Sequence, residues 1–464
     1  MRSRIEKAGL VGVGLLGGLL ISLHFAAVAD KGTELPLPVE ELRTFSEVFG
    51  RIKSDYVEPV SDKRLITEAI NGMLSGLDPH SAYLDADAFK ELQVGTQGEF
   101  GGLGIEVGME DGLVKVISPI EDTPAFNAGI KSGDLIIKID DTLVKGLNLN
   151  DAVKRMRGKP GTKVVLTVIR KNEPKPLQIS ITRAVIKVQS VKSKLVEPGY
   201  GFVRITQFQE HTGETLATAL ENLQKQNKTP LQGLVLDLRN DPGGLLTGAV
   251  AVSAAFLPRD ALVVYTEGRT ADAKMRLTTS PDNYLRGTGK GDYLKDLPDS
   301  FKKVPMVVLV NGGSASASEI VAGALQDHKR AVILGTQTFG KGSVQTILPL
   351  GNNTAIKLTT ARYYTPGGRS IQAKGIVPDI TVEDPATAGF DSAFRLREAD
   401  LERHLSNGQG EDKSETPAKP SKGQTKTKES EGGKPEITEF GAKNDYQMNQ
   451  ALNVLKGMNI LRGK

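Results

Sequence analysis

The sequence predicts a multi-domain α/β protein, on three observations. Its 464 residues exceed what one ordinary core holds. Across residues 199–383, near-continuous apolar runs (GLVLDLRN, VPMVVLV, AVILGT) alternate with helical segments, the pattern of a sheet buried on both faces. Across residues 99–186, short β segments with turn punctuation mark a separate module. Apolar residues make up 39%, charged residues 25%, and the net charge is +4, a globular balance with no sign of a nucleic-acid binder. The chain has no cysteine, which excludes thiolate catalysis, disulfides and cysteine-ligated metals.

In chain order, residues 1–30 combine Arg2, Arg4 and Lys7 with 22 residues, 8–29, free of Asp, Glu, Lys and Arg. Ala27-Val28-Ala29 offers a cleavage site, so a signal peptide is expected, or an anchor long enough for ~30 Å of hydrocarbon. Residues 36–95 show apolar positions at helical spacing (Leu42, Phe45, Val48, Ile52, then Leu65, Ile66, Ala69, Ile70) and predict short helices. The turn-rich GLDPHSAYL, residues 76–84, leaves that region. The module at 96–184 is expected to hold a hairpin around Asp111-Gly112, a helix over 149–157 and a closing strand in TKVVLTVIR. Residues 185–385 form the α/β core, to which SVQTILPL and TAIKLTTARYY are assigned as further strands. Residues 386–440 read as a polar disordered linker; after Leu405, no aromatic or branched aliphatic residue occurs up to 436. Residues 441–464 recover helical amphipathicity, and that apolar stripe is expected against the N-terminal helices or a second subunit.

The chemistry concentrates in NGGSASASEIVAGALQDH, residues 311–328, where a strand and glycine turn lead into a helix. A serine there would sit at a helix N-terminus, beside backbone N–H groups able to hold an oxyanion. The same residues permit a plain cap, since Ser316-x-x-Glu319 matches a capping box. Of the five histidines, His24 lies in the signal stretch and His404 at the linker. His328 stands about 18 Å along the helix from Ser316. That leaves His80 and His211 open as bases, in turn-like contexts without an orienting motif. Lys341, between Gly340 and Gly342 in TFGKGSVQ, is the better candidate, because apolar surroundings favour a neutral amine that can take a serine proton. Gln345, four residues on in an extended run, is expected on the same face, holding that amine. LVLDLRNDPGGLL, residues 234–246, ends a strand in a glycine turn whose amides, with the Ala317 N–H, would make a two-donor oxyanion hole.

With these pieces in place the chain resembles the carboxyl-terminal processing (tail-specific) proteases, exported serine peptidases with a Ser-Lys dyad. The resemblance rests on DLRNDPGG, GSASASEIVAGAL, TFGKGSVQ and GRSIQAKGIVPDI in this order, and covers residues 36–385 and the final helix. It implies a protease core of crotonase/Clp-protease-like type, Ser316 as nucleophile, Lys341 as base and Gln345 orienting it. It further implies Ala317 and Gly243 as oxyanion donors, Gly244 being the other choice. The module at 96–184 resembles a PDZ domain, with Gly101, Gly102, Leu103, Gly104 and Ile105 standing where such domains bind a peptide C-terminus.

The expected partners are therefore protein or peptide substrates with free C-termini, a second copy of the chain through the terminal helices, and room for an adaptor protein. The expected site is the periplasm or the outer face of the membrane. The dyad calls for no metal or cofactor. A non-catalytic PDZ scaffold would be expected to have lost Ser316, Lys341 or the DPGG turn, and all three are present. An esterase-type G-x-S-x-G elbow is absent, because residues 312–316 read GGSAS.

Overall fold

The structure, a computed structural model, describes residues 37–110, 112–120, 123–147, 149–171, 173–187, 189–285, 291–383, 397–409 and 441–463. The expected signal stretch, 1–30, and most of the expected linker lie outside the described residues. Among the described residues no helix is long and apolar enough to cross a membrane.

The chain divides into two compact units, Met1–Ala69 and Ile70–Lys464. In the first, helix Val39–Asp55 opens on Glu40 and Glu41 and carries Lys53 in its last turn, charges that suit the helix dipole. None of its residues is buried, and Leu42, Phe45, Val48 and Ile52 remain exposed on the expected stripe.

In the second unit, strands Ile105–Glu110, Leu113–Pro119, Leu135–Ile139, Lys163–Ile169 and Leu177–Thr182 form one antiparallel sheet in that order. The expected closing strand is thus followed by another, which takes the edge. Val114, Val116, Ile136, Leu166 and Val168 build a core of this module's own, covered by Ala152 and Met156 of helix Leu149–Met156. The strands Glu99–Gly102 and Ala184–Lys187 pair with each other, so the chain enters and leaves the module at one place. That pairing lets a domain be inserted without separating the segments on either side.

The remaining residues contain two sheets where the sequence was read as one. The first runs Val191–Glu197, Tyr200–Ile205, Gly233–Asp237, Met306–Val310, Val332–Gly335, Ile380–Thr381; it is parallel except for its first pair. Alternate residues of its central strands face opposite sides, as strand geometry requires. Leu234, Leu236 and Val308 pack with helices Thr212–Asn227, Leu246–Ala254 and Ala317–Asp327. Val235, Val307, Leu309 and Leu334 pack against Met448, Ala451, Leu452 and Leu455 of helix Tyr446–Leu461. The C-terminal apolar stripe, expected against the N-terminal helices or a second subunit, is covered by the chain's own sheet. A bare sheet face left by the parallel strands explains the choice. SVQTILPL and TAIKLTTARYY belong to the second sheet: Ser343–Pro349 pairs antiparallel with Ala355–Tyr364, which also pairs with Ala82–Leu84 and Leu262–Gly268.

Residues 397–409, expected to lie in the linker, are ordered against this core. Glu398 N–H donates to Phe339 O, Ser370 Oγ to Asn407 O, and Gln372 Nε2 to Leu405 O.

Leu455 is fully buried, whereas Leu461 is 90% exposed. Leu455→Ala should cost about 2–5 kcal/mol in urea unfolding, and Leu461→Ala almost nothing; equal midpoints would contradict the packing described.

Candidate active site

Met306–Val310 delivers the chain into the turn 311–316, and helix Ala317–Asp327 starts directly after it. Ser314 Oγ donates to Leu238 O and Ser318 Oγ to Asp241 O, so the outer two serines tie this turn to the neighbouring strand end. Ser316 differs. Its φ of +56° lies where a side chain is strained. The expected capping box is present, its reciprocal half running from Ser316 N–H to Glu319 Oε2 at 2.8 Å. The Ser316 hydroxyl also meets the Tyr363 phenol, whose pKa burial pushes up to about 12.

Glu319 is wholly buried and receives four donors. Beside Ser316 N–H, these are Lys341 N–H at 2.9 Å, Gly340 N–H at 2.7 Å and Thr338 Oγ1 at 2.5 Å. Burial still pushes its carboxyl up to about 7. Backbone nitrogens of Ser316 and Lys341 thus share one carboxylate oxygen, which brings the two candidate residues together. Gly340 has φ +100°, and a Cβ on Gly342 would come within 2.2 Å of Gln372 N, so the lysine loop needs both its glycines.

Lys341 is largely buried. Burial, then the Lys357 ammonium, lowers its proton affinity, while Glu398, Glu319 and Asp78 act the other way. The expected bond from Gln345 is not made: its Nε2 donates to Ser343 Oγ at 2.9 Å and Thr359 Oγ1 at 3.3 Å. The two-residue parity argument fails because the strand begins only at Ser343 and its pairing shifts register between Val344 and Gln345.

The glycine turn 241–244 lies against the serine. A Cβ on Gly243 would come within 2.6 Å of Ala315 O and 2.9 Å of Ala317 N. However, Gly243 N–H, expected as an oxyanion donor, is engaged by Asp241 Oδ1 at 2.8 Å. The Ala317 N–H, in the first helical turn, has no partner among the described residues. Asp241 is fully buried with Oδ2 unpartnered, and burial pushes its carboxyl up to about 7.

Arg239 escaped the sequence reading, although it stands in the same run. It clamps Asp237 (2.8 and 2.9 Å) and Asp445 (2.7 and 2.9 Å), tying the end of strand Gly233–Asp237 to the C-terminal helix. His80 and Glu398 were missed as well. His80 Nε2 lies 2.8 Å from Glu398 Oε2, and nothing local in sequence links residues 318 positions apart.

In the β-rich module, Gly102, Leu103, Gly104 and Ile105 line a cavity of about 70 Å3 together with Val107, Val153, Met156 and Arg157. The N–H groups of Leu103 and Gly104 have no partner among the described residues. Gly101 does not join them. A Cβ there would lie 2.2 Å from Gly158 O, so this glycine serves close packing.

Among the described residues no cluster of His, Cys, Asp and Glu is arranged to hold a metal ion.

Three family models match the chain: Peptidase family S41 over residues 199–382, a PDZ domain over 101–181, and the N-terminal domain of the activating protease CtpB over 22–88. A carboxy-terminal-processing protease of Bartonella bacilliformis is 46% identical over 422 residues, 90% of this chain and 89% of its own. The carboxy-terminal processing protease CtpB of Bacillus subtilis is 37% identical over 343 residues, 73% and 67% of the two chains. Among solved structures, the photosystem II D1 C-terminal processing protease is similar at 30% identity, over 73% of this chain and 86% of its own, with a TM-score of 0.42.

The raised carboxyls of Asp241 and Glu319 carry a sign. An acid whose folded pKa exceeds its unfolded value near 4 binds protons more tightly in the folded state. Stability is then full below about pH 4 and is lost as pH rises through about 7. Asp241→Asn should flatten the fall in Tm between pH 5 and 8; an unchanged slope would show that this carboxyl is not the source.

Proposed function

The chain belongs to peptidase family S41, as a carboxy-terminal processing serine protease with a PDZ domain, and we propose that it cleaves captured protein tails with a Ser316–Lys341 dyad. The observation that carries this reading is the shared carboxylate: Glu319 takes N–H groups from both residues on one oxygen. A serine hydroxyl on a strained backbone and a lysine of lowered proton affinity are the two parts that nucleophilic catalysis needs.

In this mechanism Ser316 Oγ attacks the scissile carbonyl while Lys341 Nζ accepts its proton. The lysine returns that proton to the departing amine, and water then repeats the cycle on the acyl-serine. The tetrahedral oxyanion is received by the Ala317 N–H at the helix start. A second donor requires the Gly243 peptide to turn away from Asp241. Gln345 supports the strand beside Lys341 through Ser343 and Thr359.

The PDZ domain supplies the substrate. Its strand Ile105–Glu110 ends the sheet order and offers an edge to an extended peptide. The unpartnered Leu103 and Gly104 N–H groups suit a terminal carboxylate, and the small apolar cavity beside them suits an aliphatic last residue. The N-terminal stretch supports export to the periplasm or the outer membrane-facing space. The exposed stripe on helix Val39–Asp55 supports pairing with a second copy, while the buried face of the C-terminal helix is taken up by its own sheet.

Ser316→Ala should lower cleavage of a disordered, tail-exposed protein by about 10³-fold or more. Activity should rise with pH through the lowered Lys341 pKa, since only the neutral amine acts as base. Wild-type cleavage by Ser316→Ala, or a flat rate from about pH 5 to 9, contradicts the dyad. An amidated substrate tail should raise KM.

Phe45→Glu should shift the species seen by light scattering towards monomer. A wild-type chain that is monomeric at micromolar concentration removes the pairing.

A further inference from the structure

The lysine loop is held from two sides, and the second side comes from beyond the protease sheets. Glu398, fully buried in residues 397–409, accepts from His80 Nε2 on both oxygens (2.8 and 3.0 Å) and from Gln372 Nε2 on Oε1 at 2.9 Å. Gln372 Oε1 in turn accepts Gly342 N–H at 3.0 Å, and Glu398 N–H donates to Phe339 O at 3.1 Å. Both ends of the segment 339–342 are thereby fixed by one acidic residue and its neighbour. His80 is fixed as well: its N–H donates to Asp78 Oδ1, which also accepts from Ser81 N–H and Thr359 Oγ1.

We infer that Glu398, paired with His80, is a positioning residue for the proteolytic reaction: it holds the Lys341 loop and keeps a negative charge beside the base. This inference rests on the dyad reading above. A buried carboxylate needs partners, and Glu398 spends both oxygens on His80 and Gln372, so its place is to hold these groups. Its influence on Lys341 is exerted through charge and through the loop's backbone.

The charged groups facing Lys341 come from four elements. Lys357 on strand Ala355–Tyr364 disfavours the ammonium; Glu398, Glu319 on the serine helix and Asp78 in the 76–81 turn favour it. Among these, Glu398 is named first of the three that favour it, and His80 and Lys341 both hold the Glu398 carboxyl below its ordinary range, against burial. Removing the Glu398 charge therefore leaves Lys341 easier to deprotonate, and removing His80 leaves the charge in place but the loop less fixed.

The test uses the full chain and a tail-exposed disordered substrate. Glu398→Gln should lower kcat by about ten- to a hundredfold, leave KM unchanged, and move the acid limb of kcat/KM to lower pH. Glu398→Asp should restore part of kcat and the wild-type limb. His80→Phe should lower kcat without moving the limb to lower pH. A merely structural role would lower Tm and the active fraction with the limb unmoved in Glu398→Gln, which overturns the inference. So does a wild-type kcat in His80→Phe, which decides the matter if Glu398→Gln does not fold. Ser316→Ala run in parallel separates the two readings: if it cleaves normally, the dyad fails and takes this inference with it. If it is inactive while Glu398→Gln behaves as wild type, only the role of Glu398 fails.

Discussion

A carboxylate sealed inside a protein without a counter-ion persists only where donors converge on it. Glu319 is such a group, and satisfying it is the constraint on which this molecule's chemistry depends. Two of its donors are backbone N–H groups of the lysine loop, one is the N–H of Ser316, and the fourth is Thr338 Oγ1. These come from the end of the parallel sheet and from the entrance to the antiparallel one. The two sheets therefore cannot settle independently, because each leaves the glutamate partly unmet. Its place in the first turn of helix Ala317–Asp327 adds the favourable end of the helix dipole.

The glycine turn 241–244 is bound in just as tightly. Ala315 N–H and Ser318 Oγ both donate to Asp241 O, and Phe208 N–H donates to Gly243 O. Phe208 leads through Gln209 to the root of the PDZ domain, where a Cβ on Gly98 would meet Gln209 Oε1 within 2.3 Å and Glu210 N–H donates to Thr96 O. Packed and hydrogen-bonded groups thus run without a gap from the inserted domain to the backbone beside Ser316.

How much of this was legible in the sequence follows from range. Local patterns were read well: the hairpin strands Ile105–Glu110 and Leu113–Pro119, the buried strands Gly233–Asp237 and Met306–Val310, and the helix after the serines all lie where periodicity placed them. Apolar runs do not encode which sheet a strand joins, so Ser343–Pro349 was assigned to the wrong one. The Ser316-x-x-Glu319 pattern was visible, but its purpose was not, since Glu319's other partners lie 19 to 22 residues away. Gln345 was misplaced by a register shift that no residue type announces. Residues 397–409 disappeared into the average composition of the long polar stretch around them, and with them Glu398. The C-terminal helix was recognised as amphipathic, but the sheet residues that it covers, Val235 to Leu334, lie 114 to 220 positions before Met448–Leu455.

The Arg239 clamp has a consequence for the order of events during synthesis. Asp445 and the residues that roof the sheet follow, in chain order, everything that composes the serine and lysine loops. Until that later stretch is in place, Val235, Val307, Leu309 and Leu334 lack the helix that covers them, and Arg239 lacks its Asp445 partner. A polypeptide made N-terminus first therefore carries its serine and lysine loops on an uncovered sheet until the roofing helix follows.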